Sequence, residues 1–181
     1  MSKNKLVGTV LAGAIALGAG FEGVKYVAYQ DIGNVWTLCY GETLGVKKGD
    51  TATPEQCKSQ LIASLLRHNA PFEKLPRQLP ANVHLAALDF CYNVGTGACT
   101  RSTLWRHLET GRYQQACGEF TKWRYAAGRD CSQPGSQCRG VWERRKLERD
   151  ICTGAVSVEQ AAARLGQKPE APDGAEMELS K

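Results

Sequence analysis

FEGVKYVAYQDIGNVWTLCYGET, residues 21 to 43, places β-forming residues on both sides of a turn and sets three polar side chains at a fixed spacing. Tyr26-Val27-Ala28-Tyr29 and Val35-Trp36-Thr37-Leu38-Cys39-Tyr40 read as strands, and Asp31-Ile32-Gly33-Asn34 between them reads as the turn. The expectation is a small twisted hairpin or three-stranded sheet. Across it runs Glu22-x8-Asp31-x5-Thr37. With Glu22 ending a helix, Asp31 in the turn and Thr37 on the returning strand, the three side chains are expected to converge across a helix-to-sheet cleft. A carboxyl that gives a proton to a leaving oxygen, faced by polar groups that hold a water, is the equipment of an inverting glycosidase. Glu22 would be the acid, and Asp31 and Thr37 would orient the water.

Upstream, Leu6 to Phe21 (LVGTVLAGAIALGAGF) carries no charge and follows Lys3 and Lys5. Half of it is Gly or Ala. A spanning helix wants roughly 20 predominantly apolar residues, and each Gly costs up to about 1 kcal/mol of helix propensity relative to Ala. Three readings remain open: a weak membrane anchor, a cleaved signal peptide, and a buried core helix. Cleavage near Gly20 would leave Glu22 at a frayed terminus, which favours retention. The basic start places the amino terminus in the cytoplasm and everything after Phe21 outside.

Downstream the pattern turns helical. Thr53-Pro54-Glu55 opens a helix that continues through Leu61, Ile62, Leu65 and Leu66. Others are expected at 82–94, 102–108, 113–122 and 140–152, separated by Gly95, Gly97, Gly111 and Gly128. A small sheet followed by a helical lobe is an α+β architecture. From Thr153 to Lys181 the chain has no aromatic residue and a net charge of −2, and reads as an acidic, disordered or weakly helical tail. The expected division is therefore 1–21, an anchor segment; 22–152, a catalytic domain; and 153–181, the tail.

All eight cysteines lie after the apolar run, as a disulfide framework in an oxidising compartment would require. Their pairing is open, with Cys131–Cys138 the expected closure of the turn SQPGSQ. Cysteine and histidine spacings do not suit zinc, so neither a metal nor a cofactor is expected. The net charge of +5, with the tail acidic, leaves a basic domain. Outside the inner membrane its natural anionic partner is peptidoglycan, and nucleic acid is excluded by export.

The block EGVKYVAYQDIGNVWTLCYGET resembles the catalytic region of phage-type lysozymes, the glycoside hydrolase family that includes the lambdoid endolysins, whose hallmark is an E-x8-D-x5-T triad. ALDFCYNVGTGACTRSTLWRHLETG (Ala87 to Gly111) and GVWERRKLERDIC (Gly140 to Cys152) are similar to two later blocks of that family. The resemblance covers roughly Phe21 to Cys152. It implies a lysozyme-like fold, with Glu22, Asp31 and Thr37 as the catalytic residues. It also implies muramidase activity on the β-1,4 bond between N-acetylmuramic acid and N-acetylglucosamine, and a role in host lysis. The Gly/Ala-rich segment resembles the signal-anchor-release element of one endolysin subgroup, held inactive at the inner membrane and then active in the periplasm. No Cys lies in that segment, so refolding rather than disulfide exchange is the expected switch. Where many relatives read Gly-His-Thr, this chain reads Gly41-Glu42-Thr43.

Other conspicuous residues take plainer readings. Trp36, Trp105, Trp123 and Trp142 suit a core better than sugar stacking. Arg139, Arg144, Arg145, Lys146 and Arg149 read either as a patch for wall carboxylates or as a solvated helix face paired with Glu143 and Glu148. A monomer is expected. The alternatives carried forward are a lytic transglycosylase on the same scaffold and a noncatalytic wall-binding protein.

Overall fold

A computed structural model describes residues 8–31 and 33–169. Lys3, Lys5, Leu6 and Val7 of the apolar segment's start, Ile32 of the turn, and residues 170–181 of the tail lie outside the described residues.

Helix α1 (Gly8–Glu22) opens the described chain and meets no interruption until Gly23, whose φ of +64° ends it. It is apolar almost all round, and such a helix is stable in water only inside a core. Leu11, Ala14, Ala16 and Leu17 are indeed buried. The helix packs against α2 (Pro54–Asn69), α3 (Ala81–Val94) and α8 (Val158–Arg164). Its glycines are notches for neighbouring side chains. A Cβ on Gly13 would lie 2.8 Å from Leu85 Cδ2 and from Val158 Cγ1, and one on Gly20 would lie 2.6 Å from Leu165 Cβ. Among the described residues no helix is long and apolar enough to cross a membrane. In this state the segment is a core helix, and the boundary expected between Phe21 and Glu22 falls inside a continuous α1.

Strands β1 (Lys25–Gln30) and β2 (Trp36–Cys39) form the expected antiparallel hairpin, with Gln30 opposite Trp36 and Tyr29 opposite Thr37. The register shifts between Tyr29 and Lys25, so β1 is bulged. An isolated bridge from Val27 to Thr51 adds a fragment of a third strand. The disulfide Cys39–Cys57 ties β2 to α2, whose start carries a full capping box from Thr53 and Gln56.

The helical lobe continues with α3, then α4 (Thr96–Thr100), α5 (Thr103–Glu109) and α6 (Tyr113–Glu119). A second small hairpin follows, β3 (Tyr125–Ala126) with β4 (Arg129–Asp130), and then α7 (Arg139–Thr153). Phe72, Leu85, Leu88, Phe90, Leu104 and Phe120 form the centre of its core. Disulfides Cys91–Cys99, Cys117–Cys152 and Cys131–Cys138 join α3 to α4, join α6 to α7, and close the turn before α7.

One correction concerns the tail. Residues beyond Thr153 do not all form a disordered extension. Ser157 and Gln160 make a capping box that starts α8, and Val156, Ala161 and Ala162 are buried against the core. The small residues that made the segment look weakly structured are what lets α8 lie close to α1.

Candidate active site

Glu22 is the last residue of α1, so docking that helix fixes where its carboxylate lies. Its partner is 122 residues away: Arg144 on α7 donates from Nη1 to Glu22 Oε1 at 2.6 Å. The rest of that guanidinium is held by Asp89 of α3, with Nε to Oδ2 at 3.0 Å and Nη2 to Oδ1 at 2.9 Å. The ring of Phe21, the residue before Glu22, lies 4.6 Å from Arg144 Cζ and covers it. Arg144 and Asp89 are buried, whereas the Glu22 side chain keeps 30% of its exposure.

Burial opposes charge on Asp89, yet the bidentate contact with Arg144 prevails and holds its carboxyl below the usual range. Arg144 is correspondingly locked in its charged form. Beside them Glu148 accepts from Arg145 Nη2 at 2.7 Å, and burial lifts its carboxyl well above the usual range.

The exposed side of Glu22 opens on a cleft of about 300 Å³. Tyr40, Gly41, Glu42 and Thr43 form the wall after β2, Ser64, Arg67 and His68 of α2 form another, and Tyr92 and Asn93 of α3 complete it. Tyr92 donates to the Tyr40 carbonyl at 2.7 Å, pinning the first wall to α3. Burial, and next the Glu22 charge, push the Tyr92 phenol up and keep it neutral. Gly41, with φ +90°, brings backbone close to the acid: a Cβ there would lie 3.8 Å from Glu22 Oε2. Glu42 accepts from the Thr43 and Leu44 amides and from Arg67 at 2.7 Å. Burial raises its carboxyl, but these donors, led by the Leu44 amide, outweigh it and leave it below the usual range.

Asp31 and Thr37 belong to the hairpin. Asp31 Oδ1 accepts from the Gly33 amide at 2.8 Å and the Val35 amide at 2.9 Å, an Asx-type turn that shapes the tip. Asn34 sits there at φ +59°, a conformation Asn tolerates. Thr37 is buried and donates to the Val35 carbonyl at 3.0 Å. Asp31 and Thr37 are thus joined through Val35, while the residues lining the Glu22 cleft do not include either of them.

Residues 19–148 match the phage lysozyme family. The chain belongs to that family. It is 36% identical over 137 residues to the SAR-endolysin of Enterobacteria phage P21, covering 74% of this chain and 78% of that one. It is 40% identical over 119 residues to the SAR-endolysin of Pseudomonas phage phiKMV, covering 65% and 74%. Among solved structures, the endolysin from Escherichia coli O157:H7 phage FAHEc1 superposes with a TM-score of 0.67 at 26% identity, over 80% of this chain and 92% of that one. The active form of the P1 phage endolysin Lyz shares the fold, with a TM-score of 0.66 at 23% identity over 81% and 85%. The lysozyme-like α+β reading of the sequence therefore holds.

In this phage lysozyme the surroundings of Glu22 draw on residues that the spacing did not single out. Arg144 and Arg145 were read as part of a wall-binding patch or a solvated face, and both are instead almost fully buried. The signal was present: Arg144, Leu147, Glu148 and Ile151 recur at helical spacing on one face, which makes it an apolar face carrying charge. Asp89 is embedded in the apolar run Leu85 to Phe90, and a carboxylate there needs a cationic partner. Of the tryptophans, Trp105 is buried against Phe72, and Trp123 packs edge-on to Phe90, as expected of core residues. Among the described residues no group of His, Cys, Asp and Glu could hold a metal ion.

Proposed function

We propose that this chain is an endolysin of the signal-anchor-release kind, a muramidase that hydrolyses the β-1,4 bond between N-acetylmuramic acid and N-acetylglucosamine in peptidoglycan. Glu22 is the general acid, and the reaction proceeds with inversion. Asp31 and Thr37, which do not line the cleft in this structure, act from the hairpin, Asp31 orienting the attacking water when the sugar is bound and Thr37 supporting the turn through Val35. The observation that carries this reading is the placement of Glu22 at the cleft rim, with one carboxylate oxygen held by a buried arginine.

The same contact supports control by release. Phe21 and Glu22 meet Arg144 only when α1 is docked. With the apolar segment in the inner membrane, the acid is away from its partner and the cleft is incomplete. Release lets α1 seat against α2, α3 and α8 and brings the acid into place, and the enzyme then acts in the periplasm as a monomer.

Intact-mass analysis of membrane and soluble fractions, before and after collapse of the membrane potential, tests the proposal alongside turbidity clearing of walls. Full-length protein should move from an inactive membrane fraction to an active soluble one. Soluble protein truncated near Gly20 would overturn the release mechanism. NMR of the fresh product should show the inverted anomer; a 1,6-anhydro end would mark a lytic transglycosylase. Undiminished clearing by Glu22→Gln would remove Glu22 from the chemistry.

A further inference from the structure

Arg144 poses a problem for an acid catalyst. A general acid must carry a proton at the working pH, and an unmatched guanidinium 2.6 Å away would favour its loss. The structure supplies a match: Asp89 takes the guanidinium's Nε/Nη2 edge with two hydrogen bonds from a fully buried position. Arg144 therefore meets Glu22 as half of an ion pair whose charge is already opposed.

We infer that Asp89 is a positioning residue for the general acid: by clamping Arg144 it both offsets the arginine's charge and fixes which oxygen of Glu22 carries the proton. The second effect follows from geometry. A guanidinium only donates, so Glu22 Oε1, facing Nη1, serves as an acceptor. The proton then resides on Oε2, the oxygen turned toward Gly41 and the cleft. Proton transfer breaks the Oε2–H bond and forms an O–H bond on the leaving sugar oxygen. The resulting carboxylate is held by Arg144 without any side chain having to move. This inference rests on Glu22 being the acid.

The other charged and titratable groups around the pair do not supply the same balance. On α7, Glu148 is held by Arg145 at 2.7 Å and comes only within 3.7 Å of Arg144 Nε, and burial lifts its carboxyl well above the usual range, so it opposes the Arg144 charge less than Asp89 does. In the cleft, Glu42 is matched to Arg67, and the Tyr40 and Tyr92 phenols are both pushed up and neutral. His68 hands its Nδ1 to the Ser64 carbonyl and its ring to Tyr92. On the far side of Phe21, a second hollow is lined by Glu143, Asp150, Lys146 and Arg164, two charges of each sign. Among the described side chains Asp89 is the carboxylate that grips Arg144 with two hydrogen bonds.

The test is the pH dependence of kcat/KM on a soluble glycan fragment, measured on the released full-length enzyme. D89N takes away the arginine's bidentate partner and leaves it opposed by Glu22 and, more weakly, by Glu148, whose Oε1 is 3.7 Å from Nε and whose carboxyl burial pushes toward its neutral form. The alkaline limb therefore moves down by about one pH unit while KM is kept. R144Q removes the cation, so the limb moves up and the plateau falls because the proton is no longer confined to Oε2. The double variant D89N/R144Q replaces both members of the buried pair, folds more readily than either single variant, and returns the limb to near its wild-type position. Rates reduced equally at every pH, with the limb unmoved in whichever of these variants fold, would overturn the role assigned to Asp89. E22Q separates the two levels: an active E22Q defeats the reading of Glu22 itself, whereas an inactive E22Q with an unmoved limb in the others defeats only the inference about Asp89.

Discussion

Glu22 and Asp31 are nine residues apart and both are carboxylates at the edge of the hairpin, yet they are held in opposite ways. Asp31 is positioned by its own turn, through amides two and four residues away. Glu22 is positioned by a partner 122 residues distant, a contact that requires the assembled fold. Local geometry survives wherever the hairpin forms. Distant geometry can be switched by moving one helix, so the switchable contact falls on Glu22 and the permanent one on the Asp31 turn.

Four measurements press on that difference. The largest effect is expected from Glu22→Gln, which keeps the hydrogen bond from Arg144 but has no proton to give. Wall clearing should fall by about 10²- to 10⁴-fold with the circular dichroism spectrum unchanged. Next is Gly20→Val, which forces a branched side chain against Leu165 and so strikes the docking of α1. A loss of about 1–3 kcal/mol in denaturant unfolding is expected. NMR signals of Phe21 and Glu22 should broaden while those of the Asp31 turn stay in place, and equal disturbance of both would break the contrast.

Acid should also act on the long-range side. His84, buried with its Nε2 2.6 Å from Asn69 Oδ1, is held neutral by burial, with its pKa depressed from 6.5 to about 4. Above pH 6.5 both folded and unfolded chains leave it neutral, and its contribution is whole. As pH falls from 6.5 to 4 the unfolded chain takes the proton first, and up to about 3 kcal/mol is lost. Urea titrations across that range should show the loss, and His84→Gln should flatten it. The smallest effect is expected from Asp31→Asn. The amide oxygen still accepts from Gly33 and Val35, so the melting temperature should barely move. Activity should fall about tenfold if the charge on Asp31 helps to hold the water.

The hairpin and the main helices were legible because their signals are local. The Asp31 to Asn34 turn, the Thr53-Pro54 start and the breaks at Gly95 and Gly111 each read out within a few residues. Helix α8 had such a signal too, Ser157 with Gln160, but the Pro- and Gly-rich composition that follows it masked the cap. The clamp on Glu22 had no local signature. Asp89, Arg144 and Phe21 come from three helices, and only packing tells a buried arginine from the solvated ones beside it. The sequence spacing also suggested that Asp31 and Thr37 share the Glu22 cleft, whereas the cleft is walled by the Tyr40 to Thr43 loop, α2 and α3. The bulge in β1 and the Cys39–Cys57 tie decide where that loop goes, and neither follows from spacing.

All four disulfides fall between Cys39 and Cys152, so no cross-link holds α1. It is joined to the body by a single peptide connection at Gly23 and otherwise by packing in notched grooves and by the contacts of Arg144 with Phe21 and Glu22. In the language of fragment complementation, residues 23–169, cross-linked by the four disulfides and including α8, are an oxidised receptor and α1 is a detachable insert that carries Glu22 at its end. A synthetic peptide of residues 8–22 is then a natural ligand for the truncated body, and its last side chain becomes a position open to chemical substitutes for glutamate that no codon supplies.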